Sequence, residues 1–454
     1  MRATRRHEIR GSDRVRSINR AARSLPLLLA LAVAFTGALL AAGPLGAAEW
    51  TVNSTLDQLD ANPGNGQCAT IGGACTLRAA IQEANATSGA DRVVVPAGTY
   101  TLTRAGVGED ECETGDLDIF DDLELAGAGS GLTIIDADGI DRVLHLNNFL
   151  NVYPAPRVTV TGVTLTGGNA TTALGYLGGG AFAEGVTTAS FDDVRFVANS
   201  ANQGGGLQVL GGMLIMDRCS VLDNELIDVA ITNRQGEGIY VSSATVGIGA
   251  TTVAGNHGAL LGSGALYVHG STWATIVDST ITGNAATGIR GYNSYLEVIR
   301  CTLANNGGQG LSFGSYDGTD TLTLAASILA GNSGGSCSVT SGVYVHSHNI
   351  DSGDTCSLSP GAGELINTDP QLGPLAANGG LTQSLLPQPG SPAIDMVPAA
   401  DTYCQGHDQR GALRPTDDDS DGQLACEAGS VEIGLLLADG FESGDTTRWS
   451  GSAP

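Results

Sequence analysis

RCSVLDN (218–224), ATTVAGN (250–256), DSTITGN (278–284), RCTLANN (300–306) and ASILAGN (326–332) are five versions of one pattern, and GVTLTGGN (162–169) and DVRFVAN (193–199) extend it upstream. The fourth residue of each is apolar: Leu165, Phe196, Val221, Val253, Ile281, Leu303 and Leu329, at intervals of 31, 25, 32, 28, 22 and 26 residues. Side chains alternate along a strand, so the residues two places earlier, Cys219 and Cys301 among them, share the inward face and read as buried thiols. A strand this short cannot bury its apolar side alone. A period of 22–32 residues leaves no room for a strand and a crossover helix, but it suits one coil of a β-solenoid, whose core exists only because coils stack. Gly-rich starts such as GGGLQV (204–209), GEGIYV (236–241) and GQGLSF (308–313) have their own alternation, giving each coil at least two strands. Parallel connections are right-handed, so the pattern predicts an all-β chain, a right-handed parallel β-helix. The closing Asn suits left-handed backbone and turn hydrogen bonds, and stacked Asn side chains can bond to one another.

Further upstream, RVVVPAGTYTL (92–102), GDLDIFDDLEL (115–125), LTIIDAD (132–138) and RVLHL (142–146) read as irregular coils of the same body, which starts near Val93. An open solenoid end exposes apolar side chains and bare backbone, so it needs a cap. TLRAAIQEAN (76–85) supplies a short helix with Leu77, Ile81 and Ala84 on one face and Thr76 as N-cap.

Residues 1–24 hold eight Arg, and an apolar run from Leu25 to Ala42 ends in small residues around Gly46-Ala47-Ala48. This layout predicts a signal peptide over 1–48, export through the Sec pathway, and no membrane span once it is removed. Its loss takes eight Arg, one Asp and one Glu and moves the formal charge from −26 to about −32. What remains has no Lys, and its 13 Arg face 45 carboxylates, which excludes sequence-independent attraction to nucleic acid phosphate. Cations or neutral glycans fit that charge better. Nine Cys in an exported chain predict disulfides, and proximity pairs Cys68 with Cys75, Cys337 with Cys356, and Cys404 with Cys426. Cys219 and Cys301 lie three coils apart, too far to bond, and Cys112 has no evident partner.

The stretch CATIGGACTLRAAIQEAN (68–85) resembles the CSLREA domain of bacterial secreted and surface proteins, departing from it at Thr76 and at Ala79, where the family name has Glu. NTDPQLGPLAANGGLTQSLLPQPGSPAID (367–395), DQRGALRP (408–415) and CEAGSVE (426–432) are similar to the choice-of-anchor Q domain. Together the resemblances imply a secreted or cell-surface protein with a pectin-lyase-like β-helix between the two motifs, and they imply no defined activity. The tail DGFESGDTTRWSGSAP (439–454) looks like one recurrent in secreted proteins of Gram-negative bacteria.

Chemistry is sparse. Asp417, Asp419 and Asp421, followed by Gly422, open like a calcium loop, yet its twelfth position is Ala428, so a Ca2+ site and a solvated acidic loop both remain open. Arg218 and Arg300, with Asp193 and Asp278, take equivalent outward positions and read as a solvent-facing charge ladder or a glycan groove. Asp192-Asp193 resembles the paired Asp of polygalacturonases, but neighbours on a strand face opposite sides and the supporting motifs are missing. His346 and His348 read as exposed strand residues sharing a face beside Tyr344, without a third metal ligand.

The expected organisation is therefore a signal peptide (1–48), a cap with the CSLREA-like motif (49–92), the β-helix (93–335), an irregular disulfide-containing choice-of-anchor Q-like region (336–433) and a tail (434–454). The expected function is binding of a polysaccharide or cell-surface glycan, or adhesion, without catalysis and with no cofactor beyond Ca2+. The alternative is a polysaccharide lyase or glycoside hydrolase.

Overall fold

The computed structural model describes residues 47–433 except 149, 151–152, 171–176, 228–234, 259–262 and 419–421. The expected signal segment and the tail from 434 lie outside the described residues. The chain is a right-handed parallel β-helix of three ladders. One sheet runs from Asp91–Val95 through Leu123–Gly127 and Met213–Asp217 to Val343–Ser347. A second contains Ser220–Leu222, Thr252–Ala254, Thr280–Thr282, Thr302–Ala304 and Ile328–Ala330. The third contains Leu144–Leu146, Ala181–Glu184, Leu207–Leu210 and Ile239–Ser242. Long strands such as Gly264–Val277 and Thr287–Ile299 bend from the third sheet into the first.

The register places Leu165, Phe196, Val221, Val253, Ile281, Leu303 and Leu329 in a single inward row. All seven are buried. Cys219 and Cys301 point into the same core, and burial pushes both thiols up, so neither is a nucleophile. The Asn series also stacks, with one refinement. Left-handed backbone falls on the residue before the Asn, at Ala198, Asp223, Gly255, Gly283, Asn305 and Gly331. The Asn itself turns inward. The Nδ2 of Asn199, Asn224, Asn256, Asn284 and Asn306 each donates to the Oδ1 of the next, ending at Asn332, at 2.9–3.1 Å.

Stacking extends past both expected ends. Glu49–Thr51 pairs with Asp91–Val95, ahead of Val93, because Trp50 and Val52 turn inward. At the far end Val343–Ser347, Ile350–Asp351 and Leu365–Ile366 add coil segments beyond 335. In this last coil Tyr344 and His346 lie opposite Leu322 and Leu324, taking positions that are apolar elsewhere. The helix Leu77–Ala86 caps the opposite end, with the Thr76 hydroxyl accepting the Ala79 N–H at 3.2 Å. Arg78, only 1 % exposed, pairs with Asp57 at 2.6 Å and donates to the carbonyls of Gly115 and Asp116.

Disulfides join Cys68–Cys75, Cys337–Cys356 and Cys404–Cys426, and among the described residues Cys112, Cys219 and Cys301 are free and buried. The described residues after 366 do not form a separate body. They lie along the outer side of the second sheet, where Ile328, Ala330 and Ile350 pack with Ala393, Val397, Cys404, Cys426 and Ala428. Gln409 fastens them: Thr280 Oγ1 donates to its Oε1 at 2.6 Å, and its Nε2 donates to Thr252 Oγ1 at 2.9 Å. Ser430 reaches Thr302 at 3.2 Å. The outward Thr252, Thr280 and Thr302 are therefore buried.

Candidate functional site

Outward positions of the first sheet form rows along the stack, because every coil contributes one residue at each register position. One row runs Thr188, Met213, Thr245, Trp273, Tyr295. Trp273 is 47 % and Met213 38 % exposed, and the Trp273 and Tyr295 rings stack with centroids 4.2 Å apart. The neighbouring row holds Ile215, Gly247, Thr275 and Glu297, where Thr275 donates to Glu297 at 2.9 Å. A Cβ at Gly247 would meet nothing within 4 Å, so the surface beside the aromatic pair is a low shelf. Val343 and Val345 continue the apolar exposure at the end of the sheet. Aromatic faces next to hydroxyl and carboxylate acceptors suit a ligand with apolar C–H faces and polar edges. The third sheet also has an outward aromatic row, Phe182, Tyr240 and Tyr267, but these are almost wholly buried and belong to the packing.

At the edge of this face Arg218 is held by Asp192 and by Asp217, at 2.5 and 2.7 Å. Its backbone, like that of Asp193, Asp278 and Arg300, takes positive φ at the corner between the first and second sheets. The expectation of one solvent-facing ladder holds for Arg218 only. Arg300 is largely buried, paired with Asp278 at 2.7 Å and donating to the Tyr403 carbonyl, because the C-terminal residues cover its end of the corner. Asp192 and Asp193 do not converge. Asp193 leaves the strand face and accepts from Ser130 Oγ at 2.6 Å.

Reading His346 and His348 as exposed strand neighbours needs correction. His346 takes an inward position and its Nδ1 lies 2.9 Å from buried Glu364, whereas His348 has φ 54° at the corner, 3.4 Å from Asp401. Alternation breaks at that turn, so they share no face. Of the acidic loop, Asp419 and Asp421 lie outside the described residues. Asp417 accepts the Gly422 N–H at 3.1 Å.

A second cluster, built around His145, escaped the sequence reading. Register brings His145 opposite Asp118, and its Nδ1 lies 3.1 Å from Asp118 and 3.3 Å from Asp110, with Nε2 3.6 Å from Glu184. Phe182 stacks beneath it at 5.3 Å. Burial pulls the imidazole down, but bonds to Asp110, Asp118 and Glu184 overcome this and push it up to about 11. With these three carboxylates around it, the imidazole forms an ion cluster that links neighbouring coils. The pattern RVLHL marks His145 as outward, but only register reveals its partners.

With the folded value of His145 raised above the unfolded 6.5 to about 11, the contribution is complete below about pH 6.5 and is lost as pH rises towards 11. Charged neighbours on adjoining segments are Asp110, Asp118 and Glu184, with Arg142, Asp116, Asp141 and Glu109 nearby. Burial holds Asp116, Asp118 and Asp141 above the ordinary carboxylate range. Wild type should lose its thermal advantage over His145→Gln progressively between pH 6.5 and 10. A difference in melting temperature that stays constant over that range would contradict the imidazolium assignment.

A family model described as right-handed β-helix region matches residues 179–351. The fold resembles that of pectate lyase Pel9A at 14 % identity and TM-score 0.43, covering 85 % of this chain and 97 % of that one. It resembles the A-module of the Azotobacter vinelandii mannuronan C-5 epimerase AlgE4 at 15 % identity and TM-score 0.28, covering 57 % and 87 %. A rhamnogalacturonan lyase matches at 11 % identity and TM-score 0.28, covering 76 % and 96 %. No curated protein matches. At these values no chemistry is carried from those enzymes to this chain.

Proposed function

We propose that this protein is exported, loses residues 1–48, and binds a neutral polysaccharide along the first sheet without cleaving it. The observation that carries this reading is the stack of exposed Trp273 on half-buried Tyr295 beside the Gly247 shelf and the Thr275–Glu297 pair. Sugar rings offer C–H faces to aromatic rings and hydroxyls to carboxylates, and the strongly acidic chain repels polyanions. Three disulfides support passage through an oxidising compartment. The stretch 68–85 and the segments 367–395, 408–415 and 426–432 support, by their resemblance, membership among CSLREA and choice-of-anchor Q surface proteins. In that assignment 49–92 is the cap, 93–335 the named β-helix and 336–433 the anchor-associated region.

Among the described residues, no helix is long and apolar enough to cross a membrane. The rival reading, a lyase or hydrolase, needs a free base or two converging carboxylates. His145 and Arg218 are instead engaged in ion pairs, and Asp192 and Asp193 diverge. Affinity electrophoresis on neutral polysaccharides tests the proposal. Wild type should be retarded, and Trp273→Ala should bind about tenfold or more weakly, the loss expected for an aromatic contact and its buried area. Equal retardation of both proteins would remove the first sheet as the binding face.

A further inference from the structure

The interlock between DQRGALRP and CEAGSVE contains a charge imbalance that its hydrogen bonds do not resolve. Oxygens of Asp418, Glu427 and Glu432 lie within 4.8 Å of one another, and both glutamates are 0 % exposed. Glu432 receives the Arg414 guanidinium at Oε1 and the Thr416 hydroxyl, at 3.0 Å, at Oε2. The same hydroxyl lies 2.6 Å from Asp418 Oδ2, and its single proton cannot serve both. Glu427 fares worse: both of its carboxylate oxygens are buried and receive no hydrogen bond. Asp395, accepting the Asp418 N–H at 3.2 Å, brings a further carboxylate alongside. Arg414 is the guanidinium in contact with the trio, and it also donates to the carbonyls of Glu427 and Gly429. Three carboxylates around one guanidinium leave an excess of negative charge where water is excluded, an arrangement that needs a cation or a proton.

We propose that Asp418, Glu427 and Glu432 bind a calcium ion that secures the C-terminal residues against the second sheet. The donor set is oxygen only, which favours a hard cation over zinc or copper. The backbone around it is already fixed. Cys426 is bonded to Cys404, the Ala428 N–H donates to Ala393 O at 3.0 Å, and the Gly429 N–H donates to Ala326 O at 2.8 Å. The site shares no residue with the Asp417, Asp419, Asp421 set. It is also independent of glycan binding.

The test is calorimetric titration of the chelator-stripped, signal-cleaved protein with CaCl2, together with thermal unfolding in calcium and in chelator. Wild type should bind one calcium at this site and melt several degrees higher with it, the linkage expected of a ligand held only by the folded state. Glu427→Gln keeps the side-chain volume while removing the charge. It should fold, lose the calcium-dependent shift and weaken calcium at least about tenfold. Asp418→Asn, at the partly exposed rim, should do the same and serves as the readout if Glu427→Gln does not fold. Absence of calcium binding to wild type would overturn the proposal in favour of a protonated Glu427. Calcium binding unaltered in both variants would overturn it as well.

Discussion

Asn256→Ala is expected to destabilise the β-helix by about 3 kcal/mol, more than any substitution on its outer faces. Asn256 is fully buried in the middle of the Asn ladder. Its Oδ1 accepts from the Asn224 N–H at 3.0 Å and from Asn224 Nδ2 at 2.9 Å. Its Nδ2 donates to Val221 O and to Asn284 Oδ1, both at 2.9 Å. Alanine strands a backbone N–H without an acceptor and removes four further bonds, among them Nδ2 to Ala254 O at 3.2 Å, all where water cannot substitute. Asn332→Ala, at the partly exposed end of the ladder, should cost clearly less. Solenoid coils communicate through nearest neighbours, so the loss should appear as a lower denaturation midpoint and as faster hydrogen exchange centred on residues 221–284. Equal midpoints for Asn256→Ala and wild type would show that the ladder is not a source of stability.

Arg78→Ala is the second large effect, expected at about 3–5 kcal/mol, the cost of removing one partner from a buried ion pair. Its guanidinium holds Asp57 at 2.6 Å and reaches Gly115 O at 2.8 Å and Asp116 O at 2.9 Å, tying the capping helix to the coil beneath. Asp57 would keep the N–H groups of Thr103 and Arg104 but lose its counter-charge. Lysine cannot replace a planar fork that meets several acceptors at once, so Arg78→Lys should recover little. A loosened cap bares an edge of parallel strands, and the variant should self-associate on size-exclusion chromatography with light scattering. A monomeric Arg78→Ala with wild-type melting would show that the cap is held by its apolar face alone.

The parts of this fold legible in the sequence are those encoded locally. The inward row from Leu165 to Leu329 depends on period-two alternation repeated coil by coil, and each disulfide closes a short loop. The helix follows from Thr76 and three apolar residues at helical spacing. What escaped depends on register or on distant docking. The coil containing Tyr344 and His346 lacks the apolar signature, and Glu364 from a later segment meets the His346 imidazole there. Trp273 and Tyr295 stand 22 residues apart and become a pair only when the coils are aligned. Thr280 and Thr302 look like solvent-facing positions until Gln409 and Ser430 cover them. The calcium-loop pattern drew attention to Asp417, Asp419 and Asp421; among the described residues of the loop, Asp418 lies with Glu427 and Glu432.

On the proposed function, the Trp273–Tyr295 face holds a polysaccharide that the protein does not cut. The most direct measurement incubates wild type and Trp273→Ala with a panel of neutral and acidic polysaccharides, scoring retained glycan and released products in the same samples. Wild type should retain a neutral polysaccharide, Trp273→Ala should lose it, and neither should release new reducing ends or unsaturated products. Product release by wild type, or retention indifferent to Trp273, would contradict that function.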